Sequence, residues 1–441
     1  MSGPKVIVVG GGAAGFFAAI TAAEAGAAVT LLERGPQFLT KVRISGGGRC
    51  NVTHACFNAR EFTKRYPRGD KELIGPFHKF QASDTVTWFE SRGVELKTEP
   101  DGRMFPTTDS SQTIIDCLMR AAREAGVELR LNAGVESVKQ LDQPLTRPPA
   151  TLSPSDGERD GVRGRCDSAG VQIGQASGFE VVLGTGDQLH CDRVLLATGG
   201  CRSVALGQMA VALGHTLEPP VPSLFTFQIE VPWLRALAGV AVEQAEVSVP
   251  SAGLCERGPL LATHWGLSGP VILRLSAWGA RELSALDYKF PLLVNWLPHL
   301  NAEQLAKELQ SRRESQGAKL VVNAPIAPLT ARLWEALVLA AGLSRESRWA
   351  SMSRTQQQQL VQQLSRCEFA VTGKSLNKDE FVTCGGVRLS EVNFKTMESR
   401  VCPGLHFAGE LLDIDGITGG FNFQAAWTTG WLAGKALAGA P

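Results

Sequence analysis

The residues with the clearest chemical meaning stand at the start of the chain. Gly10-Gly11-Gly12-Ala13-Ala14-Gly15 follows the apolar run 5–9 and opens an Ala-rich stretch, 13–26, that Gly26 stops. In such a spacing the first glycine makes a tight turn, the second lets backbone approach a pyrophosphate, and the third lets helix and strand pack closely. Glu33 lies 23 residues after Gly10, at the end of a second apolar run, 28–32, where a carboxylate accepts hydrogen bonds from a ribose diol. Strand, helix, strand and acid in register predict a βαβ unit that binds a dinucleotide. A Gly-rich turn in an ordinary α/β fold leaves Glu33 unexplained. Gly10, Gly12, Ala14, Gly15, Glu33 and Arg34 are therefore candidate nucleotide contacts, with Val135 from a later strand completing the set.

Later segments decide which dinucleotide. Residues 194–200 (VLLATGG) resemble the second signature of two-dinucleotide-binding flavoproteins, which adds Thr198, Gly199 and Gly200. Residues 405–416 (LHFAGELLDIDG) resemble their C-terminal signature, where Gly409 and Glu410 fall beside the ribityl chain. Three signatures in this order indicate noncovalently bound FAD. No second βαβ fingerprint is present, so NADH or NADPH would bind transiently against the flavin. Asp413 and Asp415 either contact ribityl hydroxyls or hold the turn. Gly420, Phe421 and Asn422 open a helix, 422–438, whose N-terminus stabilises negative charge at the N1–C2=O edge of reduced flavin.

The run 41–53 (KVRISGGGRCNVT) is more specific than a Rossmann turn. With 263–270 (THWGLSGP), 383–387 (TCGGV), 396–399 (TMES) and 409–424 (GELLDIDGITGGFNFQ), it resembles the bacterial BaiN-like, aminoacetone-oxidase-like FAD-dependent oxidoreductases through nearly the whole chain. The resemblance implies a FAD domain interrupted by a β-barrel-like insert with a helical portion. It also implies cofactor contacts at Lys41, Gly47, Arg49 and Asn51. The glycines 46–48 suit an anion-binding nest. Arg49 either adds charge for the pyrophosphate or flavin edge or forms a surface salt bridge. Cys50 is either a redox thiol facing the flavin or a small buried residue in a tight loop. Family members often carry Asn after the N-V-T run, where this chain has His54.

For proton handling, His264 is the acid–base candidate by motif, since imidazole titrates near working pH; the alternative is that His264 and Ser268 brace a Gly-rich turn. Arg388, beside the 383–387 loop, is a further pocket candidate. Residues 60–79 interleave Arg60, Lys64, Arg65, Arg68, Lys71 and Lys79 with Tyr66 and Phe77, which reads either as a phosphate-tracking patch or as a solvated basic surface diluted by Glu61, Asp70 and Glu72. These residues leave three functions open: hydride transfer between flavin and a small organic substrate, flavin-dependent reduction of uridine in ribosomal RNA, and electron carriage without turnover.

The elements that must position these residues form an α/β fold. A Rossmann-type FAD-binding domain of the two-dinucleotide-binding kind, residues 1–200 and 372–441, is interrupted by an insert, 201–371. The insert is β-rich, with alternating runs at 224–231, 241–249 and 289–296, and helical over about 300–363, including 301–314 and 328–363. Helices are also expected at 78–93 and 111–126, and a flexible Pro- and Gly-rich loop at 141–178 inside a hairpin. At 441 residues the chain holds two or three domains of roughly 150 residues each. Lys and Arg number 44 against 43 Asp and Glu, so no whole-molecule field gathers nucleic acid, and any RNA must be held at a local patch. The 47 glycines cluster at 10–15, 46–48, 199–200, 385–386 and 416–420, as expected of several loops converging on one large ligand. Ten cysteines without a C-x-x-C pair and no apolar run of ~18 residues indicate a cytoplasmic protein without a membrane span or structural zinc.

Overall fold

The computed structural model describes residues 3–141, 178–201, 204–375 and 382–439. The loop expected at 141–178 lies outside the described residues except at its ends, where Leu141 N–H donates to the Gly178 carbonyl at 2.8 Å.

A seven-stranded sheet carries the first core. Across it lie Val392–Asn393, Glu398–Ser399, Leu405–Phe407, Arg193–Leu196, Lys5–Val9, Ala28–Leu32 and Glu128–Arg130. The last five are parallel, and the first two join antiparallel. Val6, Val8, Leu31, Leu195 and Phe407 are buried, as expected of parallel strands covered on both faces. Parallel strands end at one edge, so the loops after Val9, Leu32, Leu196 and Phe407 emerge together. That edge carries Gly10–Gly12, Glu33, Thr198–Gly200 and Gly409–Glu410. The closing helix, Phe421–Leu437, lies directly on the opening helix, Ala13–Glu24. A Cβ at Gly430 or Gly434 would stand 2.6 Å from the carbonyl oxygen of Ala14 or Ala18, so this approach requires glycine at both positions.

The second core is a closed barrel in the order Thr226–Ile229, Gly266–Ser268, Leu254–Thr263, Ala241–Val249, Phe290–Asn295, Cys367–Ser375. Helices Ala302–Ser315, Ala331–Ala340 and Arg354–Ser365 pack beside it around the buried Trp334 and Trp349. The two cores are joined by a pair of antiparallel strands, Leu217–Ser223 and Val382–Val387.

Three expectations change. The helix expected over 328–363 is two, because Gly342 turns left-handed (φ 79°) and Ser353 with Gln356 forms a fresh capping box. The helix expected over 78–93 begins at Ala82, with Gln81 and Asp84 forming the box, and a separate turn, Ile74–Lys79, precedes it. The insert does not begin at 201: Cys201, Met209 and Ala210 belong to the first core, and the barrel runs from Thr226 to Ser375.

Candidate functional site

The glycine motif divides its work as its spacing predicts. A Cβ at Gly10 would overlap the carbonyl oxygen of Ala197, and one at Gly15 would overlap that of Gly10, whereas one at Gly12 would meet nothing within 4 Å. Open space at Gly12, at the N-terminus of a 12-residue helix, is where a ligand phosphate can approach backbone N–H groups. Glu33 spans the turn: Oε2 accepts from Gly11 N–H and Oε1 from Gly35 N–H, both at 2.8 Å. A carboxylate has about four acceptor sites, so capacity remains for a ribose diol. Arg34 and Val135 flank it, since Ala133 N–H donates to the Glu33 carbonyl and a Cβ at Gly134 would lie 3.2 Å from Arg34 Cγ.

Further along the edge, Thr198 Oγ1 is buried with no hydrogen-bond partner among the described residues, and the neighbouring Gly199 (φ 78°) meets none of them within 4 Å of a Cβ position. A buried hydroxyl without a partner beside an open glycine fits an extended polar ligand. Gly200 packs against Thr383 and Glu410, and Gly409 packs against Ala14. Glu410 forms an ion pair with Lys41, and its Oε1 accepts from Thr383 N–H at 2.8 Å. Gly46, Gly47 and Gly48 are successive left-handed residues (φ 58°, 69°, 85°), the last two facing open space. Residues 51–54 are stitched to the closing helix. With its amide oriented to satisfy both neighbours, Asn51 accepts from Gly420 N–H at 2.9 Å and donates to the Thr53 carbonyl at 3.0 Å. Thr53 Oγ1 and Thr85 Oγ1 both donate to Gln424 Oε1, at 2.6 and 2.9 Å, and Trp427 Nε1–H donates to the Val52 carbonyl at 2.9 Å. Asn422 grips Gly416 through two 2.8 Å bonds, and Tyr66 O–H donates to the Phe421 carbonyl at 2.5 Å. Loops from five places in the chain are thus tied together, and the open backbone at Gly12, Gly47, Gly48 and Gly199 fits an extended dinucleotide such as FAD.

Other candidates take up different positions. Arg49 lies over the Phe105 ring at 4.0 Å and pairs with Glu99 at 2.6 Å and Asp109 at 3.5 Å, so its charge is met by carboxylates of this chain. Cys50 is fully buried, and desolvation pushes its thiol up to about 12, so it stays protonated and unreactive at neutral pH. Asp413 braces the turn: it accepts from Arg281 through both oxygens, at 2.9 and 2.8 Å, and from Gly385 N–H at 2.9 Å. Asp415 is buried against Arg68 and Ser223, whose Oγ–H donates to it at 2.7 Å; burial pushes its carboxyl up while Arg68 opposes the shift. Arg388 is an exposed partner of Glu218 at 2.8 Å. His264 is exposed at the Thr263–Gly266 hairpin tip beside Ile229.

The 60–79 segment is likewise internal at its centre. Tyr66 and Phe77 are buried, and the Arg68 side chain is 11% exposed, donating to Asp415 and to the Ala277 carbonyl. Sequence reasoning missed Arg281, Gln424 and Ser223. Gln424 had a signal, a lone amide among apolar residues of a closing helix. The other two acquire meaning only from partners more than a hundred residues away. Among the described residues no His, Cys, Asp or Glu group forms a metal-binding cluster, and no helix is long and apolar enough to cross a membrane.

Comparison with known proteins agrees with this layout. Residues 4–147 match the HI0933-like protein Rossmann domain, and residues 221–382 the HI0933-like protein barrel and H2TH domain. The chain is similar to a ribosomal RNA dihydrouridine synthase of Escherichia coli (strain K12), 29% identical over 98% of this chain and 97% of the relative. It is also similar to a 3-dehydro-bile acid delta(4,6)-reductase of Clostridium scindens, 27% identical over 99% and 100%. A ribosomal RNA dihydrouridine synthase of Haemophilus influenzae is 26% identical over 98% of each chain.

Proposed function

The chain belongs to the HI0933-like family of FAD-dependent oxidoreductases, and from that premise we propose that it is a reductase that adds hydrogen across a carbon–carbon double bond conjugated to a carbonyl. The observation that carries the cofactor half is the open backbone at Gly12, Gly47, Gly48 and Gly199 beside the unpartnered Thr198 hydroxyl. The substrate half is supported by the relatives' names, dihydrouridine synthase and delta(4,6)-reductase, which describe one kind of step on unrelated molecules.

FAD, held noncovalently, supplies the hydride chemistry when bound. The chain's residues bind and orient. The opening helix N-terminus and Gly12 would receive the pyrophosphate, Glu33 the ribose, and the Lys41–Glu410 pair the ribityl stretch. The N-terminus of the closing helix favours negative charge at the flavin's N1–C2=O edge. A nicotinamide donor would bind transiently against the flavin, since the sequence has no second dinucleotide fingerprint to hold it. With Tyr66 and Phe77 buried and Arg68 turned inward to Asp415, the centre of the 60–79 segment supports a buttress for the flavin loop, while its exposed cations Arg60, Lys64, Arg65, Lys71 and Lys79 stand among Glu61, Asp70 and Glu72, so a small conjugated substrate is the better reading.

The test is anaerobic stopped-flow. The enzyme is reduced with NADH or NADPH, then mixed with a 4-en-3-one steroid, a uridine-containing RNA, or oxygen. Faster reoxidation by the conjugated ketone than by oxygen is expected. Rapid oxygen turnover with no response to a conjugated carbonyl would contradict the proposal, and response to RNA alone would shift it to the RNA substrate.

A further inference from the structure

The geometry around His54 points to a positioning residue: we infer that it fixes the Gly419 carbonyl at the mouth of the closing helix and carries a switchable positive charge that tunes the bound flavin. The inference rests on the FAD reading above.

His54 ends the short strand Thr53–His54, opposite Arg103. Its Nδ1 lies 3.1 Å from the Gly419 carbonyl oxygen, and its ring stacks on Phe421 at 4.8 Å and 30°. A carbonyl only accepts, so Nδ1 must carry hydrogen in the neutral ring as well as in the charged one. The titrating proton therefore belongs to Nε2. That nitrogen faces the turn at Gly102, where a Cβ would stand 2.5 Å away, and φ is 87°; only glycine leaves the imidazole its place. Nε2 has no hydrogen-bond partner among the described residues.

Titration thus adds a charge without breaking the clamp on Gly419. The charged groups facing the ring are Arg65, Arg103 and Asp101. Burial, then the two arginines, hold the imidazole below its ordinary value, while the Gly419 bond and Asp101 oppose them. Negative charge on a reduced flavin held beside the neighbouring Gly419–Asn422 segment would oppose that lowering and favour a proton on Nε2. Linkage makes the effect reciprocal: protonated His54 favours the reduced cofactor.

The test uses the purified holoenzyme, its midpoint potential followed by dye-equilibrated reductive titration across the histidine range. His54→Asn keeps a donor within reach of Gly419 and cannot titrate; His54→Phe keeps neither property. In the wild type, the reduction equilibrium should gain up to tenfold per pH unit across the His54 titration, above the flavin's own dependence. His54→Asn should retain FAD and lose that inflection, and His54→Phe should also bind FAD more weakly. If the His54→Asn curve superimposes on the wild type, the inference is overturned while the cofactor reading stands. A wild type that takes up no FAD overturns both.

Discussion

At the scale of single residues, Gly12 and Gly15 belong to one motif but obey different constraints. Gly12 has extended backbone (φ −89°, ψ −170°) that any residue adopts, and open space beyond its Cα. Gly12→Val should therefore leave the fold intact and lower FAD affinity by tenfold or more, read by flavin retention and by an unchanged circular dichroism melt. Gly15→Ala pushes a methyl into the Gly10 carbonyl and should cost roughly 1–3 kcal/mol of stability, as overpacking does, read by urea unfolding. Cys50→Ala should leave turnover intact, because a buried thiol held near 12 supplies no thiolate; a loss of turnover without a loss of FAD would restore it to the chemistry. The glycines were legible in the sequence because each answers a local backbone demand. For Arg49 the sequence left a cofactor contact and a salt bridge open, because a guanidinium goes where its counter-charge is, and Glu99 and Phe105 arrive from 50 and 56 positions away.

At the scale of elements, the cradle depends on how residues 51–54 and 66–68 hold the closing helix and the loop before it. Arg68→Met would leave Asp415 buried without its cation, which typically costs about 3–5 kcal/mol. Chemical denaturation should show that loss, with substantial recovery when Asp415→Asn is added, because the uncompensated charge is then gone. Gln424→Leu strands the Thr53 and Thr85 hydroxyls and should cost about 1–3 kcal/mol for each buried group left unpaired. Four of the five parallel strands, and the opening and closing helices of the first core, could be read from apolar runs and flanking glycines. Boundaries failed where capping chemistry competes with periodicity, at Gln81–Asp84 and Ser353–Gln356. In the run 60–79 only the inward turn of Arg68 escaped the sequence, because its partner, Asp415, is 347 residues away.

At the scale of the whole molecule, near-neutral net charge gives no large field, so pH sensitivity should come from a few buried groups. His406 is buried in the sheet, and desolvation lowers it from 6.5 to about 4. The unfolded chain therefore binds a proton that the folded chain refuses between these values. The His406 contribution is present in full above 6.5 and falls as pH drops toward 4, by on the order of 3 kcal/mol at about 1.4 kcal/mol per unit. His215, lowered by burial against the pull of Glu391, acts in the same direction. Urea unfolding at pH 7.5 and pH 5 should show the loss, and His406→Phe should flatten it. The two-core organisation was legible as a change in pattern along the chain, but the position of the barrel was not. The cradle at the glycine-rich sheet edge is the account's central claim, and the FAD content of the purified chain tests it most directly. The account predicts one FAD per chain, released intact on denaturation and lost in Gly12→Val with the fold retained. A wild-type chain with no visible flavin absorbance and no FAD uptake on reconstitution would contradict it.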